Sequence, residues 1–88
     1  MNILVRVELH GASYPGNYNT LHIAMERAGF TRSIVADNGR AYDLPTAEYT
    51  MYGASGVSQA FNLAKGAANS TGYNSTVVAV SFTAWQGF

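Results

Sequence analysis

His10 and the arginines are the residues of this chain whose chemistry is most informative. His10 comes two residues after Glu8, and an imidazole near a carboxylate can act as a general acid or base around neutral pH. The guanidinium of Arg32 could stabilise negative charge at a reacting phosphate. We therefore name His10 and Arg32 as candidate catalytic residues.

The four arginines also form a candidate RNA-binding set: Arg6, Arg27, Arg32 and Arg40. Arginines interleaved with tyrosines suit RNA, because guanidinium groups pair with phosphates and aromatic rings stack on bases. The competing interpretation is structural, with Arg6 and Glu8 paired to charged or polar residues across a sheet.

Other kinds of site have little support. His10 and His22 are twelve residues apart in different predicted elements, so we interpret them as two unrelated surface histidines and expect no metal site. Residues 11–17 (GASYPGN) lack the glycine spacing of nucleotide-binding loops, and a strand-to-helix connection is the simpler interpretation. Beside a helix N-terminus this loop could still hold an anion. No serine nucleophile motif is present, and we expect no cofactor.

Composition limits the class of protein. The 88 residues are enough for one domain (1–88), and 48% are hydrophobic but only 11% charged. Five basic residues balance five acidic ones, so no global field attracts nucleic acid or a membrane. The chain has no cysteine, no signal peptide and no apolar run long enough to span a membrane, and we expect a cytoplasmic protein.

Hydrophobic periodicity indicates the outer elements. Residues 2–10 alternate, with Ile3, Val5, Val7 and Leu9 on one face of a strand. Helical spacing that begins at Asn17 or Asn19 predicts a first helix, which ends before Gly29, a good C′ residue. A second helix follows Ser55, with Val57, Phe61, Ala64 and Ala68 on one face. Residues 76–84 predict the last strand.

The middle of the chain predicts a hairpin. Residues 33–44 (SIVADNGRAYDL) contain Asn38-Gly39, the preferred pair for a two-residue type I′ turn. The second arm continues beyond Pro45 to Met51 as a long strand that the proline interrupts. The order βαββαβ predicts a ferredoxin-like α+β fold, in which a four-stranded antiparallel sheet carries both helices on one face.

The open sheet face and the low charge favour a homodimer, joined through sheet faces or edge strands. The aromatic tail, Trp85 to Phe88, would pack on a partner subunit or on its own sheet.

A family resemblance lies between Gly29 and Thr50. Phe30, the Ser33–Asp37 segment (SIVAD), Gly39 and Leu44 resemble the pattern of GhoS-type antitoxins, which are related in fold to Cas2-like nucleases. The resemblance implies a sequence-selective endoribonuclease that cleaves a toxin messenger RNA. Cas2-like nucleases carry a metal-binding aspartate at the end of the first strand, where this chain has Glu8, Leu9 and His10.

Two functional hypotheses follow. The first is a GhoS-like RNA-binding protein or endoribonuclease, an antitoxin acting on toxin mRNA. The alternative is a non-catalytic phage or mobile-element inhibitor, for example of the anti-CRISPR type, that blocks a protein partner by surface contact; tyrosine and tryptophan are enriched in such interfaces. A small-molecule-binding dimer is a third possibility, but no specific residue supports it.

Overall fold

The computed structural model describes residues 1–88, which form two helices and five strands. In chain order these are β1 (Ile3–Leu9), α1 (Gly16–Arg27), β2 (Ser33–Val35), β3 (Ala41–Asp43), β4 (Glu48–Met51), α2 (Val57–Asn69) and β5 (Ser75–Ser81). All strand pairs are antiparallel. The predicted α+β class, the two helices and the antiparallel strands are therefore confirmed, but the strands number five instead of four, because the predicted long strand through Pro45 is divided into β3 and β4.

The strands form two sheets, not the single four-stranded sheet that we predicted. One has the order β4-β1-β5, and the other contains β2 and β3. The backbone pairing between the two sheets is a single isolated bridge between Thr31 and Thr50, and the Thr50 hydroxyl also donates to the carbonyl of Ser33 (2.6 Å). The break at Pro45 explains the difference: β3 ends before it and pairs with β2, whereas β4 begins after Ala47, whose φ is 67°, and pairs with β1.

The core lies between the three-stranded sheet and the helices. The predicted alternation of β1 is confirmed, since Ile3, Val5, Val7 and Leu9 are all buried. Helix α2 contributes a face made only of alanines to this core: Ala60, Ala64, Ala67 and Ala68. The prediction was wrong for Phe61, which is 37% exposed, because the four buried alanines centre the core-facing stripe between Ala60 and Ala64 and leave Phe61 at its border.

The hairpin turn has three residues instead of two. The N–H of Ala36 donates to the carbonyl of Arg40 (2.8 Å), and the N–H of Gly39 donates to the carbonyl of Ala36 (2.9 Å). Only Gly39 has a positive φ, +81°, whereas a type I′ turn would require one at Asn38 as well. This is the three-residue hairpin in which a left-handed glycine ends the turn. The Asn38 side chain accepts a hydrogen bond from the N–H of Arg40.

Neither helix is both long and apolar enough to cross a membrane.

Candidate functional site

The C-terminal tail folds back onto the hairpin, one of the two positions that we expected for it. Trp85 donates a hydrogen bond from Nε1 to the carbonyl of Val35 (3.0 Å), and the N–H of Val35 donates to the hydroxyl of Tyr52 (3.0 Å). These two aromatic side chains satisfy backbone groups at the free edge of β2. The tail and the hairpin are therefore held together by specific polar contacts as well as by packing.

Aromatic rings surround this junction. Tyr42 of β3 stacks on Phe88 with 5.2 Å between ring centroids, and Trp85 stands edge-on to both, at 6.3 and 5.9 Å. A second pair, Tyr52 and Phe82, makes an edge-to-face contact at 6.3 Å. Such offset and edge-on geometries are the favourable ones for aromatic pairs.

These rings line an open cleft of about 770 Å³ between the hairpin and the tail. We call it the aromatic cleft. Its polar lining consists mainly of Asn2, Asp37, Asn38 and Gln86. At its border the Arg40 guanidinium lies over the Tyr42 ring, 5.6 Å from the centroid. Flat apolar walls with a few hydrogen-bonding groups suit a planar heteroaromatic ligand, with a cation available for an attached anion.

The face of β1 turned away from the helices connects the cleft to His10. Side chains at positions 2, 4, 6, 8 and 10 share this face, because successive residues of a strand alternate. Asn2 lines the cleft, and His10 lies eight residues along the strand, about 26 Å away at ~3.3 Å per residue. Arg6 is exposed and lies midway along β1 between Asn2 and His10. Its cross-strand neighbours are Val78 of β5 and Glu48 of β4. We call this surface the open face.

His10 is held by its neighbours at the end of β1. Its Nε2 lies 2.8 Å from the hydroxyl of Thr76 and 3.6 Å from a carboxylate oxygen of Glu8. The ring is exposed to solvent. An oriented, accessible imidazole beside a carboxylate can exchange a proton with a bound substrate. No three His, Cys, Asp or Glu side chains converge to form a metal site.

The four predicted RNA-binding arginines are all exposed, and none lies within 4.0 Å of a carboxylate. The alternative of a cross-strand ion pair therefore fails for Arg6, although Glu48 is its neighbour in the register.

The arginines do not share one surface. Arg6 is on the open face, Arg40 is beside the aromatic cleft, and Arg27 ends α1. Arg32 follows Thr31, the bridge partner of Thr50, and alternation turns it towards the helix side. The structure thus does not bring the candidate catalytic residues, His10 and Arg32, together.

His22 is buried, so the prediction of a surface histidine was wrong for this residue. It is 6% exposed, and its Nδ1 lies 2.6 Å from the hydroxyl of Tyr49, which is fully buried. Burial lowers the pKa of His22, and the nearby Arg32 lowers it further, whereas Glu26 opposes them. Burial also raises the pKa of the Tyr49 hydroxyl. This neutral pair connects α1 to β4.

Sequence reasoning missed two features. The spacing of Leu21, His22 and Met25 on one helical stripe could have indicated the burial of His22. The aromatic cleft had no comparable signal, because Tyr42, Tyr52 and Trp85 come from three distant segments.

No protein-family model matches this sequence, and no match was found among curated proteins.

Proposed function

We propose that the protein binds single-stranded RNA along the open face and in the aromatic cleft, as a GhoS-like RNA-binding protein or endoribonuclease. The observation that carries the proposal is the cleft itself: aromatic rings, amide groups and Arg40 meet at one accessible place. Proteins that bind single strands combine such rings, on which bases stack, with cations that track the phosphates.

The path of the strand follows from the open face. A base in the aromatic cleft would leave the next phosphates on the open face, within reach of Arg6. The exposed apolar side chains of Val78 and Val80 border this path and offer further contacts to bases. Asp37 in the cleft favours a base that presents N–H donors, because a carboxylate only accepts hydrogen bonds.

Cleavage would take place at the far end of the path. His10 is the proton donor or acceptor, oriented by Thr76 and Glu8. As a base it would take the proton of a ribose 2′-hydroxyl, whose oxygen attacks the adjacent phosphorus and displaces the 5′-oxygen, and the imidazolium so formed would protonate that leaving oxygen. The scheme uses only groups of the chain and of the RNA. In the GhoS-like interpretation the RNA is a toxin messenger and the protein an antitoxin.

The ferredoxin-like arrangement is part of the same proposal. The Thr31–Thr50 bridge lies at the outer edge of β4, where a fourth strand would pair with the three-stranded sheet. With this bridge, the order of neighbouring segments becomes β5, β1, β4 and then the segment that leads into β2. A short, strongly twisted outer strand would leave just such a remnant of pairing.

Fluorescence anisotropy with a labelled, unstructured RNA oligonucleotide at low salt tests the binding. Arg6→Gln and Arg40→Gln should weaken it, and the slope of log affinity against log salt should fall by about 0.7 for each phosphate that the variant no longer neutralises. Arg27→Gln is the matched control, because Arg27 is equally exposed but ends α1 and lies neither on the open face nor in the aromatic cleft, so its loss should have little effect. Equal effects of all three substitutions would contradict the proposed path.

Cleavage has its own test. His10→Gln should abolish cleavage of the RNA and leave anisotropy binding intact. If the wild-type protein binds RNA without cleaving it, the endoribonuclease part of the proposal is wrong and binding remains.

A contact-type inhibitor is the second candidate. Apolar side chains exposed on the helices, Ile23, Phe61 and Leu63, favour it, because such residues supply protein interfaces. Absence of RNA binding at low salt, together with a stoichiometric complex with a purified protein target, would favour this function over the first.

A further inference from the structure

Strand β5 forms one edge of the three-stranded sheet, and its outer side has no partner strand. The hydrogen bonds from His10 N–H to Asn74 and from Phe82 N–H to Asn2 fix its register with β1. Even-numbered residues of β5 therefore bond to β1, and the N–H and C=O groups of Ser75, Val77, Ala79 and Ser81 point away from it. The edge is seven residues long, longer than the mean strand of ~5–6 residues.

This edge lacks the usual protection. The β5 sequence, STVVAVS, contains no charged residue and no proline, the features that normally prevent edge strands from pairing. Val78 is 56% exposed and Val80 46% exposed. Only one end is covered: Lys65 of α2 donates from Nζ to the carbonyl of Ser75 (2.6 Å).

The pattern of β5 is complementary to itself. An antiparallel copy centred on Val78 would place Val77 opposite Ala79, Thr76 opposite Val80 and Ser75 opposite Ser81. No like charges would meet, and the outward-pointing backbone groups would lie opposite one another. The hydrogen-bonded pairs would be Val77 with Ala79 and Ser75 with Ser81, and the two-fold symmetry forms each of them twice. These four pairs would form about eight main-chain hydrogen bonds, two for each pair. The Ser75 carbonyl can keep its bond to Lys65, since a carbonyl oxygen accepts two.

Helix α2 supplies an apolar flank to the same edge. Phe61 lies four residues before Lys65 and therefore on the same side of the helix, the side that reaches the start of β5. Its exposed ring would be covered by the helix of a second copy.

We propose that β5 is the interface of a symmetric homodimer, in which two copies of this chain join their sheets edge to edge around Val78. The occupant is a second copy because an antiparallel copy of β5 brings no like charges together and aligns the outward-pointing backbone groups of the two strands. A two-fold axis at Val78 produces a continuous six-stranded sheet and removes both free edges. This inference does not depend on the proposed RNA binding.

Cysteine cross-linking tests the register. The chain has no cysteine, so a single Val78→Cys substitution introduces one thiol in each copy. That residue would lie directly opposite Val78 of the partner subunit as a non-hydrogen-bonded pair, with Cα atoms about 4.5 Å apart, within disulfide range. Mild oxidation should convert the protein into a disulfide-linked dimer.

Val80→Cys is the matched control, because the residue is similarly exposed. Two copies of residue 80 would lie four residues apart along the paired strands, about 13 Å, too far for a disulfide. Cross-linking of Val80→Cys as fast as Val78→Cys would overturn the proposed register.

Light scattering measures the assembly itself. The wild-type protein should have twice the chain mass of 9.4 kDa, and Val78→Lys, which places two like charges opposite each other, should give monomers with an unchanged circular dichroism spectrum. A wild-type protein that stays monomeric up to about 1 mM, a concentration that captures even weak association, would overturn the proposal. So would a dimer that survives Val78→Lys.

Discussion

Replacing Tyr49 by phenylalanine should destabilise the protein through His22. The hydroxyl of Tyr49 is the polar partner of the His22 Nδ1 at 2.6 Å, and both residues are buried. The substitution keeps the ring and its packing in place and removes one oxygen. The imidazole nitrogen is then left without a partner in a site that water reaches poorly.

The expected change in the free energy of unfolding follows from the loss of this hydrogen-bond partner. A buried polar group left unsatisfied costs about 1–3 kcal/mol, more than the net contribution of the hydrogen bond itself. For a domain of this size each kcal/mol lowers the melting temperature by about 4–8 °C. We therefore expect Tyr49→Phe to unfold at least several degrees below the wild-type protein, with an unchanged denaturant m-value.

Urea unfolding followed by circular dichroism measures this free energy. Tyr14→Phe is the control, because Tyr14 is 67% exposed and its loss of a hydroxyl should change stability by less than about 0.5 kcal/mol. In a His22→Leu background the tyrosine hydroxyl has no partner, so Tyr49→Phe should be nearly neutral there. Equal costs in both backgrounds would refute the assigned pairing.

Three further outcomes follow from the structure. Burial lowers the pKa of His22 below its ordinary 6.5, so the imidazole binds a proton more tightly in the unfolded chain than in the folded protein. The free energy of unfolding should therefore be highest above pH 6.5 and should fall as the pH drops below it, by at most about 1.4 kcal/mol per pH unit. Urea titrations at several pH values should show this slope in wild type and in His10→Gln but not in His22→Leu. Gly39→Ala should cost about 1 kcal/mol in thermal melts, because φ is +81° there, whereas Gly16→Ala in α1, without positive φ, should not. Trp85→Phe removes an indole donor and should cost about 0.5–1.5 kcal/mol and speed amide exchange in the hairpin; unchanged exchange would argue against the tail contact.

Local patterns in the sequence were sufficient for both helices and for the outer strands β1 and β5, but not for the division of the predicted long strand into β3 and β4. The strict alternation of β1 was decisive, since only one face of a half-buried strand can be apolar. The hairpin was placed correctly, but its turn was not, because Asn-Gly fits both a two-residue turn and the end of a three-residue one. The register of the two strands, in which Val35 pairs with Ala41, decides which of the two turns is formed. The turn residues alone do not determine this register.

The site depends on contacts between distant segments. The aromatic cleft requires that the tail reach Val35, fifty residues earlier in the chain, and nothing near Trp85 indicates this. The division into two sheets has a similar origin. Pro45 indicated a break, but the choice of partner on either side of it is made by tertiary packing.

The emission of Trp85 tests RNA binding in the aromatic cleft most directly. It is the only tryptophan of the chain and lines the cleft. Titration with an unstructured RNA oligonucleotide at low salt should quench its fluorescence to saturation, because a stacked base contacts the indole environment, and added salt should weaken the binding. Inorganic polyphosphate of equal charge should not quench it. RNA binding that leaves the Trp85 emission unchanged, or no binding at all, would contradict the account.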